Sequence, residues 1–221
     1  MMMWWKCAKK KGMSMKSQTT KNQNIHRSTT GMYKLVIRKK SSHLHEKIAI
    51  REEALTHCHE NPRVLDCFHG DGTLWREIEK NRPVQVLGIE KSASLSRFEW
   101  IHGDNMRVVD ELNISDYDLI DLDAFANPLP LLLKLWPLAK PGAVFVYTFT
   151  FVALYGLPPE LYGEDDFIRK KARCIQNKLL EQKWSTFFKR LGVDALVEIN
   201  VKEGGRIKKY GYFVKPLAKS T

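Results

Sequence analysis

Five acidic residues stand where short apolar runs of this 221-residue chain come to an end. Asp66 follows "VL", Glu90 follows "VLGI", Asp104 follows "WIHG", and Asp121 and Asp123 lie within "YDLIDLDAF". Carboxylates accept hydrogen bonds from hydroxyl, ammonium and amino groups. Each of these acids alone would commonly be a solvated loop residue. If the runs are neighbouring strands of an open α/β sheet, however, the acids gather at its ligand-binding edge.

The stretch "VLDCFHGDGTLW", residues 64–75, predicts a glycine turn between a strand and a helix. Gly70 and Gly72 allow a positive φ and a close approach of the backbone to a ligand. Dinucleotide-binding folds use such a turn for phosphates, which Asp66 and Asp71 would repel, and Trp75 replaces their third glycine. S-adenosylmethionine (SAM) carries an ammonium and a sulfonium instead, so we predict SAM there; a tight turn without a ligand is the alternative.

The elements around these residues alternate between strand and helix. Strands are predicted near 63–68, 84–90, 98–104, 117–123 and 142–150, and helices near 46–59, 73–81, 106–112, 128–139 and 164–191. This alternation predicts a parallel, doubly wound α/β sheet. The C-terminal "DALVEINVKEGGRIKKYGYFVKP" instead predicts two strands joined by a Gly-Gly turn, which is an antiparallel hairpin.

An α/β series that closes with such a hairpin resembles the class I SAM-dependent methyltransferases, over about residues 46–216. The resemblance implies a Rossmann-like fold with a seven-stranded, mostly parallel sheet and a C-terminal antiparallel hairpin. It implies that Glu90 accepts the ribose hydroxyls, that Asp104 accepts the adenine amino group and that carboxylates of the turn bind the ammonium. The implied cofactor-binding residues are Asp66, Phe68, Gly70, Asp71, Gly72, Glu90, Lys91, Asp104, Asn105 and Asp121. Arg51 is a further candidate, for the SAM carboxylate.

The acceptor side is represented by "DLDAFANP", residues 121–128. This loop resembles the D-x-D-P-F-G-S-P loop of the tRNA guanine-N2 dimethyltransferases, although alanine stands at 124 and Ala-Asn at 126–127. The resemblance implies that Asp123 orients an exocyclic amine, that Phe125 stacks on the base and that Pro128 stiffens the loop. Asp121 is the third catalytic candidate.

The implied reaction is the transfer of a methyl group from SAM to an exocyclic amine of a nucleic-acid base, with RNA favoured over DNA. The residues would contribute alignment and, through Asp123, a carboxylate that favours the positive charge developing on nitrogen. Nucleophilic catalysis by cysteine is disfavoured because Cys67 lies in the turn rather than on the acceptor loop. A small-molecule or protein acceptor, and a catalytically silent nucleic-acid-binding module, remain the alternatives.

Positive charge is concentrated near the N-terminus. Residues 1–51 carry thirteen Lys or Arg and one acid, a net charge of +12, whereas the whole chain carries +11, so the other 170 residues sum to −1. We predict a basic, disordered tail over residues 1–30 and a methyltransferase domain over residues 31–221. The tail and the basic helical region 164–191 are candidate contacts for RNA; a solvated tail and a solvated helix face are the alternatives.

Other functional classes are disfavoured by composition and spacing. No uncharged apolar run reaches the length of a membrane span, so no membrane partner is expected. The four cysteines form no C-x-x-C pair, which argues against a zinc ribbon or disulfides and for the reducing cytoplasm. The histidines of "HLHEK" and "HCH" match no common zinc spacing, so no metal is expected.

Overall fold

The computed structural model of the chain describes residues 24–27, 33–36, 43–92, 98–125, 127–152, 158–161, 173–203 and 206–217. Two short strands near the N-terminus, β1 (Asn24–Arg27) and β2 (Tyr33–Val36), pair in an antiparallel hairpin. β1 falls within the segment for which composition predicts disorder, and the remainder of residues 1–30 lies outside the described residues. β2 occupies the first half of "YKLVIRKK", residues 33–40.

Seven further strands form a single sheet. They are β3 (Arg63–Asp66), β4 (Gln85–Glu90), β5 (Glu99–His102), β6 (Leu119–Leu122), β7 (Val144–Val152), β8 (Val197–Glu203) and β9 (Arg206–Val214). Their spatial order is β5-β4-β3-β6-β7-β9-β8. The chain builds β3, β4 and β5 outward in one direction and then crosses back to place β6 on the other side of β3. The carboxyl ends of β3 and β6 therefore flank the topological switch point, where doubly wound sheets bind ligands.

The pairing confirms the predicted architecture of the sheet. β3 pairs in parallel with β4 and β6, and the pairs β4–β5 and β6–β7 are also parallel. β9 is antiparallel to both of its neighbours, β7 and β8. It is inserted between them, so the C-terminal hairpin contributes an interior strand and leaves β8 on the edge.

In the described part of the chain, five α-helices accompany the sheet: α1 (His43–Leu55), α2 (Thr73–Glu79), α3 (Asn105–Val108), α4 (Leu129–Leu135) and α5 (Arg173–Arg190). Short 3₁₀ segments lie at Val109–Glu111, Ile114–Asp116 and Pro159–Leu161. α1 begins and ends earlier than the predicted 46–59. The first part of the helical region predicted over 164–191 lies outside the described residues, and α5 occupies the rest.

Alternation along the strands divides the core into two layers. Val64 and Leu119 face one side of the sheet, where they pack with Ile50 of α1 and Trp75 of α2. Leu65, Ile120 and Phe145 face the other side, where they pack with the buried residues of α4 and α5. Because parallel strands are covered on both faces, their residues read as nearly continuous apolar runs. An acid within such a run therefore requires a buried partner.

One polar cluster is buried between α5 and the C-terminal hairpin. The side chains of Glu198 and Lys209 are both fully buried, and Lys209 Nζ lies 3.2 Å from Glu198 Oε2 and 2.9 Å from Glu181 Oε1. Glu198 Oε1 accepts hydrogen bonds from the Tyr147 hydroxyl at 2.5 Å and the Trp184 indole at 2.6 Å. Burial and the Glu198 carboxylate raise the pKa of Tyr147 well above its usual value, so this phenol remains a donor. The cluster fixes β8 and β9 to α5.

We expect Lys209→Met to destabilise the fold because it leaves the buried Glu198 carboxylate without its cation. Removing one partner of a buried ion pair costs about 3–5 kcal/mol in the free energy of unfolding. Urea denaturation followed by circular dichroism measures this loss. Lys202→Met, at an exposed position of β8, is the control and should change the free energy by less than about 0.5 kcal/mol. If Lys209→Met lowered the free energy of unfolding no more than the control does, the proposed role of this cluster would be wrong.

Candidate functional site

A cavity of about 1120 Å³ opens at the carboxyl ends of β3, β6 and β7. One wall is the glycine turn, residues 66–72, and a second is the β6 loop, residues 123–128. α1 covers the third side with its first turns, and the ends of β7 and β9 form the fourth. The lining residues from these elements include Phe68, Gly70, Asp71, Asp123, Phe125, His43, Lys47, Thr148, Thr150, Arg206, Lys208 and Tyr210.

The glycine turn depends on two left-handed residues. Gly70 has a φ of 57° and Gly72 a φ of 70°, conformations that cost little only in glycine. A Cβ on Gly70 would meet no atom within 4 Å, so this position is restricted by its φ and not by crowding. Asp71 accepts hydrogen bonds from the Thr73 backbone N–H and hydroxyl at 2.9 and 2.8 Å. These bonds lower the pKa of Asp71. The ionised carboxylate, close to the first residue of α2, stabilises the start of that helix.

Asp66 and His69 lock the turn against the neighbouring strand. Asp66 is buried; its Oδ2 lies 3.0 Å from His69 Nδ1, and its Oδ1 accepts a hydrogen bond of 3.2 Å from the Phe68 N–H. The His69 ring fills the space above Gly88 of β4, where an added Cβ would approach the ring to 2.3 Å. His69 thus has a structural role that the sequence did not indicate, and Gly88 is required by the close approach of the ring.

The acids after β4 and β5 complete this side of the site. Glu90 accepts hydrogen bonds from the backbone N–H groups of Gly70 at 2.7 Å and Ser92 at 2.9 Å. Asp104 caps α3 by accepting from the Met106 N–H at 3.0 Å, and Asn105 Nδ2 donates to the Cys67 carbonyl at 3.1 Å.

The predicted cofactor residues divide into two sets. Phe68, Gly70 and Asp71 line the cavity, whereas Asp66, Gly72, Glu90, Lys91, Asp104, Asn105 and Asp121 do not. Lys91 lies 3.6 Å from Asp104, so these two side chains meet beyond the ends of β4 and β5. Cys67 is buried, and burial raises the pKa of its thiol well above the usual value. A protonated, inaccessible thiol is not suited to act as a nucleophile.

Asp121 differs from the expectation that it contacts substrate or cofactor. Its side chain is 1% exposed, and both of its oxygens accept hydrogen bonds of 2.6 Å from the Arg51 guanidinium. Burial, with the nearby Asp66 and Asp123 carboxylates, raises the pKa of Asp121 to about 7 despite this partner. Arg51 is itself fully buried, so its guanidinium is engaged by Asp121 and does not line the cavity. Both residues therefore hold α1 against β6, and we withdraw Arg51 as a ligand of the SAM carboxylate.

Asp123 is the carboxylate that the β6 loop presents to the cavity. Its Oδ2 accepts a hydrogen bond of 2.7 Å from Lys47 and lies 3.6 Å from Arg51. Burial alone would raise the pKa of Asp123, but Arg51, Lys47 and the Thr148 hydroxyl hold it below the usual value. Within the described part of the chain, neither Asp123 Oδ1 nor Thr148 Oγ1 has a hydrogen bond of normal geometry. An ionised, buried oxygen of this kind is suited to accept from an incoming N–H group.

The rest of the β6 loop is built by Asn127 and presents Phe125. Asn127 Oδ1 accepts from the Leu129 N–H at 3.1 Å, and its Nδ2 donates to Glu160 at 3.1 Å. Pro128 directly precedes α4 as its N-cap residue. Ala124 is buried, whereas the Phe125 side chain is 93% exposed at the mouth of the cavity. An aromatic ring held this far into solvent is available to stack on a ligand.

Sequence analysis missed His43 and Lys47 of α1, although their spacing from Arg51 carried a signal. His43, Lys47 and Arg51 recur every four residues and so lie on one face of the helix. Lys47 pairs with Asp123, and His43 lies 3.1 Å from Lys208 Nζ. Lys208 was missed as well because a lysine in an exposed-looking hairpin sequence carries no distinctive pattern. Among the described residues, no group of three or more His, Cys, Asp or Glu could hold a metal ion, and no helix is long and apolar enough to cross a membrane.

No protein-family model matches this sequence, and no curated protein matches it. Solved structures do resemble it. Trm1 from Pyrococcus horikoshii, in complex with S-adenosyl-L-methionine, shares 15% identity with a TM-score of 0.51 over 80% of this chain and 55% of its own. P. horikoshii TYW2, in complex with MeSAdo, shares 16% identity with a TM-score of 0.49 over 87% of this chain and 71% of its own.

At these identities the comparison concerns the fold. This chain spans about half of the length of Trm1. The sheet order, the inserted antiparallel strand and the glycine turn after β3 agree with that similarity. The chain therefore has the Rossmann-like α/β fold of the class I methyltransferases.

Proposed function

We propose that this protein is a SAM-dependent methyltransferase that acts on an exocyclic amine of a nucleic-acid base, with RNA the favoured substrate. The observation that carries the proposal is the shared cavity. It joins the glycine turn after β3 to the ionised Asp123 after β6, on the two sides of the switch point. Donor and acceptor would therefore meet in one enclosed space.

The residues at the glycine turn fit SAM better than a nucleotide phosphate. Asp66, Asp71 and Glu90 lie at this turn, and Glu90 Oε2 lies 2.7 Å from the Gly70 backbone nitrogen, while Arg76 of α2 lies 4.0 Å from Asp71. Carboxylates repel phosphate but attract an ammonium and accept from hydroxyls. In the proposed complex Glu90 would hold the ribose, Asp104 the adenine amino group, and the turn the methionyl part. Bound SAM supplies a methyl group that its sulfonium already activates.

On the acceptor side, the work of the chain is to position and desolvate an amine. The Asp123 carboxylate, which lines the cavity, would accept one amine N–H and so orient the nitrogen. Because Arg51 and Lys47 keep the carboxylate ionised, it also stabilises positive charge on the methylated nitrogen. Phe125 would stack on the base from the mouth of the cavity, a contact worth about 1–3 kcal/mol per base in nucleic-acid complexes.

A small-molecule acceptor is the second candidate, and the size of the cavity favours it. About 1120 Å³ exceeds the volume of a typical single-ligand pocket, roughly 300–1,000 Å³. A cofactor and a compact acceptor would fit together without a macromolecule. The exposed Phe125 and the basic N-terminal residues favour the nucleic-acid acceptor instead.

We expect the protein to bind SAM, and Glu90→Ala to weaken binding by about tenfold or more, the effect of one lost charge-assisted contact. Isothermal titration calorimetry measures both constants. Glu99→Ala, at an exposed position of the neighbouring strand β5, should bind as the unaltered chain does. Absence of binding to the unaltered chain at high micromolar SAM would refute the cofactor assignment.

We expect Asp123→Asn to lower methyl transfer by about 10²–10³-fold, the effect of removing one preorganised polar contact at a reacting centre. SAM affinity should stay within about twofold, since the altered group faces the acceptor. Tritium transfer from labelled SAM to total RNA, DNA and protein measures activity and identifies the acceptor class. Asp116→Asn, in a half-exposed ion pair with Arg63, is the control. Parallel losses of SAM binding and transfer would assign Asp123 to the cofactor site or to the fold.

We expect Lys47→Met to shift the acidic limb of the transfer rate to higher pH. The pKa of Asp123 lies below its usual value, so activity persists as the pH falls until this carboxylate is protonated. Loss of the Lys47 cation raises that pKa, and protonation then begins at a higher pH. Rates at saturating SAM from pH 4 to 8 measure the shift, and Lys47→Arg should restore the limb. An acidic limb unchanged in Lys47→Met would show that Asp123 does not control it.

A further inference from the structure

The cavity is divided by charge. Its glycine-turn end carries the Asp71 carboxylate, whereas the end formed by β9 and the start of α1 carries the cations Arg206 and Lys208 together with the His43 imidazole. Asp123 stands between the two ends, and its negative charge is balanced by Lys47 and Arg51. The cations at the β9 end are therefore not required to neutralise the acids of the site.

The β9 end is built by the parts of β7 and β9 that extend beyond the rest of the sheet. β6 ends at Leu122, which pairs with Tyr147, and β7 continues through residues 148–152. In this extension Thr148 pairs with Tyr210, and Thr150 pairs with Lys208. Side chains two residues apart share a face of a strand, so these four polar side chains form one patch that lines the cavity.

Hydrogen bonds orient the lysine of this patch. Lys208 Nζ lies 3.1 Å from His43 Nε2, and the Tyr210 hydroxyl lies 3.1 Å from His43 Nδ1. A lysine ammonium only donates, so Nε2 must be the accepting nitrogen and the imidazole proton sits on Nδ1. One ammonium proton of Lys208 is directed at His43, which leaves the others for a ligand. His43 thereby fixes the position of a cation at the cavity wall.

These cations have no carboxylate partner among the residues that the structure describes: no salt bridge joins Arg206 or Lys208 to an acid there. The adjacent Lys209 makes the contrast clear, since it points to the opposite face of β9 and is neutralised by Glu181 and Glu198. Two cations on a cavity wall that also offers hydroxyl groups form an arrangement suited to an oxyanion.

We propose that Arg206 and Lys208, with Lys208 positioned by His43, form an oxyanion subsite that binds a phosphate group of the methyl acceptor. A phosphate presents several acceptor oxygens, which match the ammonium, the guanidinium and the hydroxyls of Thr150 and Tyr210. The inference rests on the proposed function for the identity of the acceptor, but phosphate binding itself requires no methyl transfer. The phosphate belongs either to the backbone of a nucleic acid or to a phosphorylated small molecule.

The test uses the full chain and measures the affinity of each probe by calorimetry at low ionic strength. The affinity for SAM is measured in separate titrations. The probes are a mixed-sequence RNA hexamer without terminal phosphates, the ribonucleoside 5′-monophosphates, and the corresponding nucleosides. The proteins are the unaltered chain, Arg206→Met, and the double variant Arg206→Met with Lys208→Met. Lys202→Met, an exposed lysine on the adjacent strand β8, is the matched control.

We expect the double variant to bind at least one phosphate-bearing probe with an affinity about tenfold or more below that of the unaltered chain, because charge-assisted contacts are removed. Arg206→Met should show a smaller loss of affinity for the same probe. The SAM affinity of both variants should equal that of the unaltered chain. Lys202→Met should bind the phosphate-bearing probes as the unaltered chain does. Phosphate-probe affinities that stay within about twofold in both variants would overturn the subsite. Arg206 is exposed, so its variant remains informative if the double variant does not fold.

The probes also separate the two sources of phosphate. A loss confined to the RNA hexamer identifies a backbone phosphodiester and supports the nucleic-acid acceptor. A loss confined to the monophosphates supports the subsite but contradicts the nucleic-acid acceptor. Failure of SAM to bind, with phosphate binding still sensitive to Arg206 and Lys208, would refute the proposed methyltransferase activity and leave the subsite in place.

Discussion

The buried pair of Arg51 and Asp121 is the interaction on which the site depends. Asp66, Asp121 and Asp123 converge at the carboxyl ends of β3 and β6, and all three contribute to the electrostatic field at one guanidinium. Such a concentration of negative charge away from water would be unfavourable without a buried cation. Arg51 meets this requirement through two hydrogen bonds of 2.6 Å, whose planar geometry fixes the position of α1 over β6.

Once Arg51 is fixed, the helix sets the charges along the cavity. His43 and Lys47 lie two turns and one turn before Arg51 on the same face of α1, each turn rising about 5.4 Å. Arg51 therefore engages the innermost acid, Lys47 engages Asp123 at the cavity wall, and His43 reaches Lys208 on β9. A single helix face thus links the acids of the parallel strands to the cations of the antiparallel hairpin. The contacts of Lys47 and Arg51 with Asp123 also keep this carboxylate ionised, as its proposed role requires.

The sequence contained enough to predict the sheet and the placement of the main acids, but not how the acids are used. Apolar runs that alternate with helices indicated the strand order, and the two glycines indicated the turn at the switch point. Strand alternation placed Asp121 and Asp123 on the same side, yet only the tertiary packing of α1 makes one structural and leaves the other facing the cavity. Likewise, the fit of His69 over Gly88 joins residues nineteen positions apart and has no local signature. The extension of β7 and β9 past β6 depends on strand register, which composition does not specify.

The division of charge within the cavity bears on which ligands can occupy it together. A cofactor with a net positive charge, such as SAM, would be attracted to the carboxylate end and repelled by Arg206 and Lys208, while an anionic acceptor would experience the reverse. Each ligand is thus directed to its own end, and Asp123 lies at the boundary between them. Since the cavity walls have a lower dielectric constant than water, this discrimination is stronger than it would be on an open surface. Under the proposed function, this arrangement would order donor and acceptor by charge before any specific hydrogen bond forms.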